Sequence, residues 1–137
     1  MIQPTCQPGV ETLPPQAKRK ALLVEDEPLV AMLAEDSLRE IGFEPLWVTT
    51  ADEALQSLQD DPAPALAMID VGLPDMRGDD LAKRIRRDHP DLGIVLATGH
   101  DVAALRSGFS GDRRTVVLGK PYRVTDLEQA ARAVTGA

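Results

Sequence analysis

The chain has few of the residues on which several classes of protein depend. Aromatic residues make up 3% of its 137 residues, and Cys6 is its single cysteine. Aliphatic side chains must therefore build the core, and no internal disulfide can form. No run approaches the roughly 18 apolar residues of a membrane-spanning helix. Prolines interrupt the N-terminus, where a signal peptide would carry an apolar segment. We expect a soluble cytoplasmic protein.

Clustered positive charge is also scarce. The formal net charge is -7, and the one basic run has only three residues, at 18–20. Binding to DNA or RNA depends on lysine and arginine side chains that cluster against phosphates. The composition therefore argues against a nucleic-acid partner. The length suits one domain with a single core.

The chain divides into an N-terminal arm and one domain. Residues 1–19 are rich in proline and glutamine with few large apolar residues, which predicts a disordered arm, and residues 20–137 form the domain. Within it, short apolar runs alternate with segments of helical periodicity. The predicted strands are 21–24, 43–48, 65–69, 94–97 and 115–118. In 101–114 a helical start is interrupted early by glycine and serine.

Sequence signals also indicate how the helices begin and which faces they bury. An apolar stripe at helical spacing follows the first strand and is expected to face the core: Leu29, Met32, Leu33, Leu38 and Ile41. Gly42 provides its end. Two capping-box sequences, 50–53 and 125–128, are predicted to open the second and the last helix.

Five strand–helix units in alternation imply a three-layer α/β fold, with a parallel sheet between two layers of helices. The doubly wound strand order 2-1-3-4-5 opens a crevice at the carboxyl ends of strands one and three. Glu25 and Asp26 follow the first of these strands and Asp70 ends the third. Two such charges about 4 Å apart repel by roughly 4 kcal/mol near a protein surface. The cluster predicts a divalent cation, and oxygen-only donors suit Mg²⁺.

Two later strands end in residues that suit a phosphoryl group. The Thr98 hydroxyl can donate to a phosphoryl oxygen, and Lys120 adds a positive charge. An aspartate such as Asp70 can attack phosphorus and form an acyl phosphate. The crevice is therefore a candidate phosphoryl-acceptor site.

This set resembles, in order and spacing, the receiver domain of bacterial two-component response regulators, a family with a flavodoxin-like fold. The resemblance covers about residues 20–136. The segments that carry it are 23–28 (LVEDEP), 69–78 (IDVGLPDMRG), 97–99 (ATG) and 120–122 (KPY). Each motif alone is weak, but together they are specific.

The resemblance implies a role for each residue of the site. Asp70 accepts a phosphoryl group from a phosphohistidine on a sensor histidine kinase or a histidine phosphotransfer protein. The implied ligands of Mg²⁺ are Glu25, Asp26, Asp70 and the backbone carbonyl of Gly72. The implied phosphoryl-binding residues are Thr98 and Lys120, and the peptide bond between Lys120 and Pro121 is expected to be cis.

One departure from the family concerns how phosphorylation is read out. Typical receivers carry tyrosine or phenylalanine three residues before the lysine, where this chain has Val117. The segment around Thr98 is similar to a subgroup marked Phe-Ala-Thr-Gly-X-Tyr, which also lacks that aromatic residue. Many members of that subgroup act in alphaproteobacterial general stress signalling. Only residues 97–99 match its marker.

We expect a stand-alone receiver that is not an enzyme, although it assists its own phosphorylation and dephosphorylation. Its output is protein contact, as a monomer or weak dimer. Two alternatives remain. Val117 favours a receiver-like module that binds a partner without phosphorylation. Gly72 disfavours an aspartate-nucleophile phosphatase, which usually carries a second aspartate at that position. His100 either faces the phosphoryl group or is an exposed loop residue.

Overall fold

The computed structural model describes residues 19–62 and 64–136, so the predicted arm at 1–18 lies outside the described residues. Five parallel strands of the described chain form one sheet in the order β2-β1-β3-β4-β5. The strands are β1 Arg19–Val24, β2 Phe43–Val48, β3 Leu66–Asp70, β4 Gly93–Thr98 and β5 Thr115–Gly119. The helices are α1 Pro28–Glu40, α2 Ala51–Asp60, α3 Gly78–Asp88, α4 Val102–Gly108 and α5 Val124–Thr135.

The predicted alternation and strand order are confirmed, with each strand boundary within two residues of its predicted position. The first strand begins at Arg19, one residue before the predicted start of the domain. The parallel register brings the strand ends to one level, because Asp70 pairs with Ala97 and Thr98 pairs with Gly119. The residues that follow these strands therefore lie along one edge of the sheet, its carboxyl edge.

Two layers of helices cover the sheet, as predicted. α1 and α5 pack on one face, and α2, α3 and α4 pack on the other. The central strands are buried on both faces, which explains why β1, β3 and β4 read as continuous apolar runs. Leucine, isoleucine, valine and alanine fill both cores almost entirely. None of the helices in the described part of the chain combines the length and apolar character that crossing a bilayer requires.

Only the C-terminal part of the apolar stripe of α1 faces the core as predicted, because Leu38 is buried and Ile41 packs against the core. Leu29 and Leu33 are each 70% exposed and Met32 is 56% exposed. The buried face of α1 consists of Ala31, Ala34 and Leu38. The small alanines let the helix lie close to the sheet, so the larger apolar residues are left on its outer side. The periodicity of the sequence was right for a helix, but it did not identify the packed face.

The first capping box is present in modified form. The Thr50 hydroxyl accepts the backbone N–H of Glu53 at 3.1 Å, as a capping residue does. The Glu53 carboxylate in turn accepts the backbone N–H of Thr49 at 2.8 Å, rather than that of Thr50. The turn between β2 and α2 is therefore fixed from both sides.

The predicted position of the second capping box, at 125–128, is wrong. α5 begins at Val124, and the residue before its first turn is Arg123. The carboxylate of Asp126 accepts the backbone N–H of Arg123 at 2.9 Å. Thr125 therefore lies inside the first turn of the helix. The aspartate three residues after Arg123, rather than the threonine, determines where the helix opens.

Arg86 connects α3 to the amino ends of two strands. Its guanidinium nitrogens lie 2.6–3.1 Å from acceptors on Asp112, His89, Leu92, Arg114 and Thr115. Three of these acceptors are backbone carbonyls, which the planar fork of arginine can bind together. This contact lies at the edge of the sheet opposite the acidic residues.

Candidate functional site

Three carboxylates meet at the carboxyl edge of the sheet, as predicted. One oxygen from each of Glu25, Asp26 and Asp70 can be chosen so that all three lie within 4.8 Å of one another. Glu25 is 5% exposed, Asp70 is partly buried and Asp26 is exposed. The cluster is therefore open to solvent on the side of Asp26 and closed by protein on the side of Glu25.

Glu25 is held in place by three hydrogen bonds. Its backbone N–H donates to the carbonyl of Val48 at 3.0 Å, and its carbonyl accepts the indole N–H of Trp47 at 2.7 Å. Its carboxylate accepts the backbone N–H of Glu27 at 3.1 Å. Burial raises the pKa of Glu25, and the negative charge of Asp70 adds to that effect.

Lys120 lies directly against the acidic cluster. Its Nζ donates to Oδ1 of Asp70 at 2.5 Å and lies 3.6 Å from Oε1 of Glu25. Burial alone would lower the pKa of Lys120, but the hydrogen bond and charge of Asp70, with the charge of Glu25, raise it overall. The lysine is therefore held as a cation beside two carboxylates. The cis peptide expected between Lys120 and Pro121 is present.

The second oxygen of Asp70 is bound by its own loop. Oδ2 accepts the backbone N–H of Gly72 at 3.1 Å. The loop then returns to the strand end, where the N–H of Gly78 donates to the carbonyl of Val71 at 2.8 Å. A Cβ on Gly78 would lie 2.2 Å from the backbone oxygen of Asp70, so only glycine permits this close approach.

Asp75 joins this loop to α2, a contact that the sequence did not reveal. Its two carboxylate oxygens accept the backbone N–H groups of Ala51 and Asp52 at 2.9 and 3.0 Å. These hydrogen bonds, the one from Ala51 foremost, lower the pKa of Asp75. They also satisfy two N–H groups at the start of α2. The loop that carries Gly72 is thereby fixed to a neighbouring helix.

Thr98 ends β4 as predicted and is buried, but its hydroxyl is engaged locally. It donates to the carbonyl of His100 at 2.7 Å and accepts the backbone N–H of the same residue at 3.1 Å. The residue before α4 is Asp101, with φ 56°, so Thr98 does not cap that helix. The side chain of His100 is exposed. Thr98 therefore lies next to the site, with its hydroxyl bound to the backbone of His100.

Val117 precedes Lys120 in the chain and Tyr122 follows it, and their environments differ. Val117 is 4% exposed and packs in the core beneath α2, α3 and α4. Tyr122 is half-buried beside the site, and burial, together with the charges of Glu25 and Asp70, raises its pKa to about 12. Its phenol therefore stays neutral at physiological pH.

An apolar surface borders the site, and we call it the α1 surface. It comprises the exposed side of α1 and the chain that follows Lys120: Val30, Leu33, Pro121 and Tyr122 line one pocket beside Asp36 and Glu40, and Leu29 is exposed one turn before Leu33. Exposed apolar patches of this kind mark surfaces that contact other molecules. Nothing in the sequence distinguished the exposed apolar residues of α1 from those that pack in the core.

The donor atoms at the site fit a hard divalent cation. All three side chains offer oxygen, and one of them is exposed, which leaves room for water ligands of the kind that Mg²⁺ retains. The single lysine offsets only part of the charge of three carboxylates. The role of the Gly72 carbonyl as a further ligand remains a prediction, although its residue contacts Asp70 directly.

Comparison with known proteins gives consistent matches. The family model of the response regulator receiver domain matches residues 21–132. The response regulator receiver protein CpdR of Brucella abortus is 30% identical over 109 residues, which is 80% of this chain and 90% of CpdR. The sensor kinase CckA of the same organism is 28% identical over 107 residues, which is 77% of this chain but 11% of the kinase.

The fold matches solved structures as well. The crystal structure of a response regulator receiver domain protein from Clostridium thermocellum superposes with a TM-score of 0.75, covering 86% of this chain and 94% of that one. The two sequences are 21% identical, so this likeness concerns the fold. The five-stranded, flavodoxin-like architecture is thus shared.

Proposed function

Because this chain belongs to the response regulator receiver family, we propose that it accepts a phosphoryl group on Asp70 from a phosphohistidine of a partner protein. The observation that carries this proposal is the contact of Asp70 with Lys120 inside a cluster of three carboxylates. A nucleophile, a cation and a set of oxygen donors are the parts that phosphoryl transfer to a carboxylate requires.

In the proposed reaction, a carboxylate oxygen of Asp70 attacks phosphorus and forms a P–O bond. The P–N bond to the imidazole breaks, and its electron pair leaves with the ring nitrogen. Lys120 is already beside Oδ1 of Asp70 and would bind a phosphoryl oxygen through its ammonium group. Mg²⁺ held by Glu25, Asp26 and Asp70, with the Gly72 carbonyl, would offset negative charge on the transferring group.

Thr98 would donate its hydroxyl to another phosphoryl oxygen. To do so, the hydroxyl must give up the hydrogen bond that it donates to the carbonyl of His100, while the one that it accepts from the N–H of His100 can remain. A phosphoryl oxygen would then replace the carbonyl of His100 as the acceptor of this hydroxyl. This exchange would couple the charge on Asp70 to the loop before α4, without the aromatic residue that Val117 replaces.

The α1 surface supports a protein as the phosphoryl donor. Leu33 lines a pocket together with Lys120, and Leu29 is exposed one turn before it, so a helix carrying a phosphohistidine could pack on them. The match to part of a sensor kinase agrees with a donor of the histidine kinase or phosphotransfer class. We further propose that the output is protein contact in the cytoplasm, by a monomer or weak dimer.

Two other functions are weaker. An aspartate-nucleophile phosphatase would need a second acid near the position of Gly72, where the backbone N–H binds Asp70 instead. We therefore propose a phosphoacceptor that promotes its own phosphorylation and dephosphorylation, and not a turnover enzyme. A module that binds without phosphorylation has no use for a partly buried Lys120 cation, although Val117 leaves such a module as the second candidate.

The test is intact mass after incubation with Mg²⁺ and a small phosphoryl donor such as acetyl phosphate. We expect one acid-labile phosphoryl adduct on the wild-type protein and on Asp91→Asn, a control on an exposed residue at the opposite edge of the sheet. Asp70→Asn should carry none. Absence of an adduct on the wild type would favour the phosphorylation-independent module, and an adduct on Asp70→Asn would contradict the site.

A further inference from the structure

Trp47 contacts the acidic cluster through the backbone of Glu25. It lies on the edge strand β2, in register with Leu23 of β1, and its ring packs with the core beneath α1 and α5. Its indole N–H donates to the carbonyl of Glu25 at 2.7 Å. This joins an edge strand to the first residue beyond β1.

This hydrogen bond supplies a partner that the sheet no longer provides. Val24 pairs with Val48, and the N–H of Glu25 still donates to the carbonyl of Val48. β2 ends there, and Thr50, whose N–H would meet this carbonyl in a continued parallel ladder, instead lies at the start of α2. The carbonyl of Glu25 has therefore lost its continuing strand, and the indole takes the place of that strand.

We propose that Trp47 is a positioning residue for the divalent cation, an inference that rests on the proposed function. Fixing the carbonyl of Glu25 fixes the plane of the peptide that joins Glu25 to Asp26. That peptide sets the direction in which both carboxylates leave the backbone. The exposed Asp26 depends most on this restraint, since the protein packs around Glu25 but not around Asp26.

The effect of the N–H can be separated from that of the ring. The chain contains a single tryptophan, so growth on 3-benzothienylalanine replaces Trp47 alone with a side chain of nearly the same shape and no N–H. Trp47→Phe removes the same donor genetically. Phe43→Leu is the matched control, because Phe43 lies buried on the same face of β2, at the end away from the acids.

The measurement is the dissociation constant for Mg²⁺ by calorimetry, with the melting temperature recorded for each protein. We expect Mg²⁺ to bind about tenfold more weakly to the benzothienylalanine protein and to Trp47→Phe, as for other groups that orient metal ligands. Phe43→Leu should lower the melting temperature and leave the dissociation constant unchanged.

The outcomes separate this inference from the proposed function. A benzothienylalanine protein whose dissociation constant stays within about twofold of the wild type overturns the role of Trp47 alone. Equal weakening in Phe43→Leu also overturns it, because the effect would then follow stability. A wild-type protein that binds no Mg²⁺ overturns both the inference and the proposed function.

Discussion

Nζ of Lys120 lies 2.5 Å from Oδ1 of Asp70, and the two residues are 50 positions apart in the chain. The pair joins the ends of β3 and β5 across β4, which lies between them. The lysine has two opposing effects at this place. It offsets the negative charge that would attract a metal ion, and it offers a positive charge to an incoming phosphoryl group.

Lys120→Met should separate these two effects. We expect Mg²⁺ to bind about tenfold more tightly, because a cation no longer competes for Asp70 and Glu25. Phosphorylation by a small donor should become about 100-fold slower, because a charge that stabilises the transition state is lost. Calorimetry measures the affinity for Mg²⁺, and the rate of adduct formation measures phosphorylation. Lys20→Met, at an exposed lysine, is the control, and a parallel loss of Mg²⁺ binding and rate would contradict this role.

Thr98→Val should slow phosphorylation and free the loop before α4. The variant keeps the shape of threonine but loses the hydroxyl that binds His100 twice. We expect a rate about tenfold lower and faster amide hydrogen exchange at His100, with about 1 kcal/mol lost from the free energy of unfolding. Thr98→Ser keeps the hydroxyl and should behave like the wild type. Normal phosphorylation of Thr98→Val would exclude the hydroxyl from the reaction.

Leu33→Glu should block the protein donor while sparing the small one. Leu33 is exposed on the α1 surface, so a charge there should change stability by less than about 0.5 kcal/mol. We expect transfer from a phosphorylated kinase or phosphotransfer protein to fall at least about tenfold, since the apolar contact is replaced by a charge. Leu46→Glu, on an exposed leucine of β2, should leave both reactions unchanged. Equal loss with both donors would place Leu33 in the chemistry rather than at the interface.

Arg86→Lys should destabilise the fold although the charge is kept. An ammonium cannot reach the carbonyls of Leu92 and Arg114 and the carboxylate of Asp112 together. We expect about 2 kcal/mol less free energy of unfolding in urea, because several partly buried acceptors lose their donor together. Arg84→Lys, on the exposed side of α3, should change it by less than about 0.5 kcal/mol. Equal effects of the two variants would show that the shape of the Arg86 side chain is unimportant.

Asp112 should give the protein a stability contribution that depends on pH. Burial opposes ionisation, but hydrogen bonds from Thr115, Arg114 and Arg86 prevail and lower the pKa of Asp112 below its usual 3.8. As the pH falls, the carboxylate of Asp112 is therefore protonated at a higher pH in the unfolded chain than in the folded protein. The stabilisation is complete above pH 3.8 and is lost as the pH falls through the lower pKa of the folded state.

Asp112→Asn tests the direction of this pH dependence. We expect the variant to lose about 1–2 kcal/mol of unfolding free energy at neutral pH and the difference to shrink in acid below the usual aspartate pKa. Urea titrations at several pH values measure it. A difference that is the same at every pH would mean that the contribution comes from shape and not from ionisation.

The sequence was sufficient for the strand order and for the composition of the site. Apolar runs ending in Asp70 and Lys120 are local signals, and a parallel sheet brings such ends together. The packed face of α1 could not be read, because Leu33 and Leu38 are equally apolar and only the neighbouring sheet distinguishes them. The same holds for the start of α5, where Asp126 and Thr125 both suit a helix opening.

Contacts between distant residues with no shared motif were also missed. Nothing in the sequence links Asp75 to the start of α2, or Arg86 to β4 and β5. Strand alternation could have placed Trp47 on the same face as Leu23, but not its indole against the carbonyl of Glu25. The orientation of the Thr98 hydroxyl depends on the turn to His100, which no residue pattern predicted.

The strand order determines when the site can form during folding. Its acids follow β1 and end β3, and its lysine follows β5, which is the last strand of this sheet to be synthesised and the outermost on its side. Until that strand joins the sheet, Asp70 has no cation beside it. A nascent or partly unfolded chain would therefore be a poor acceptor in the proposed reaction, and only molecules that have completed the sheet would accept a phosphoryl group efficiently.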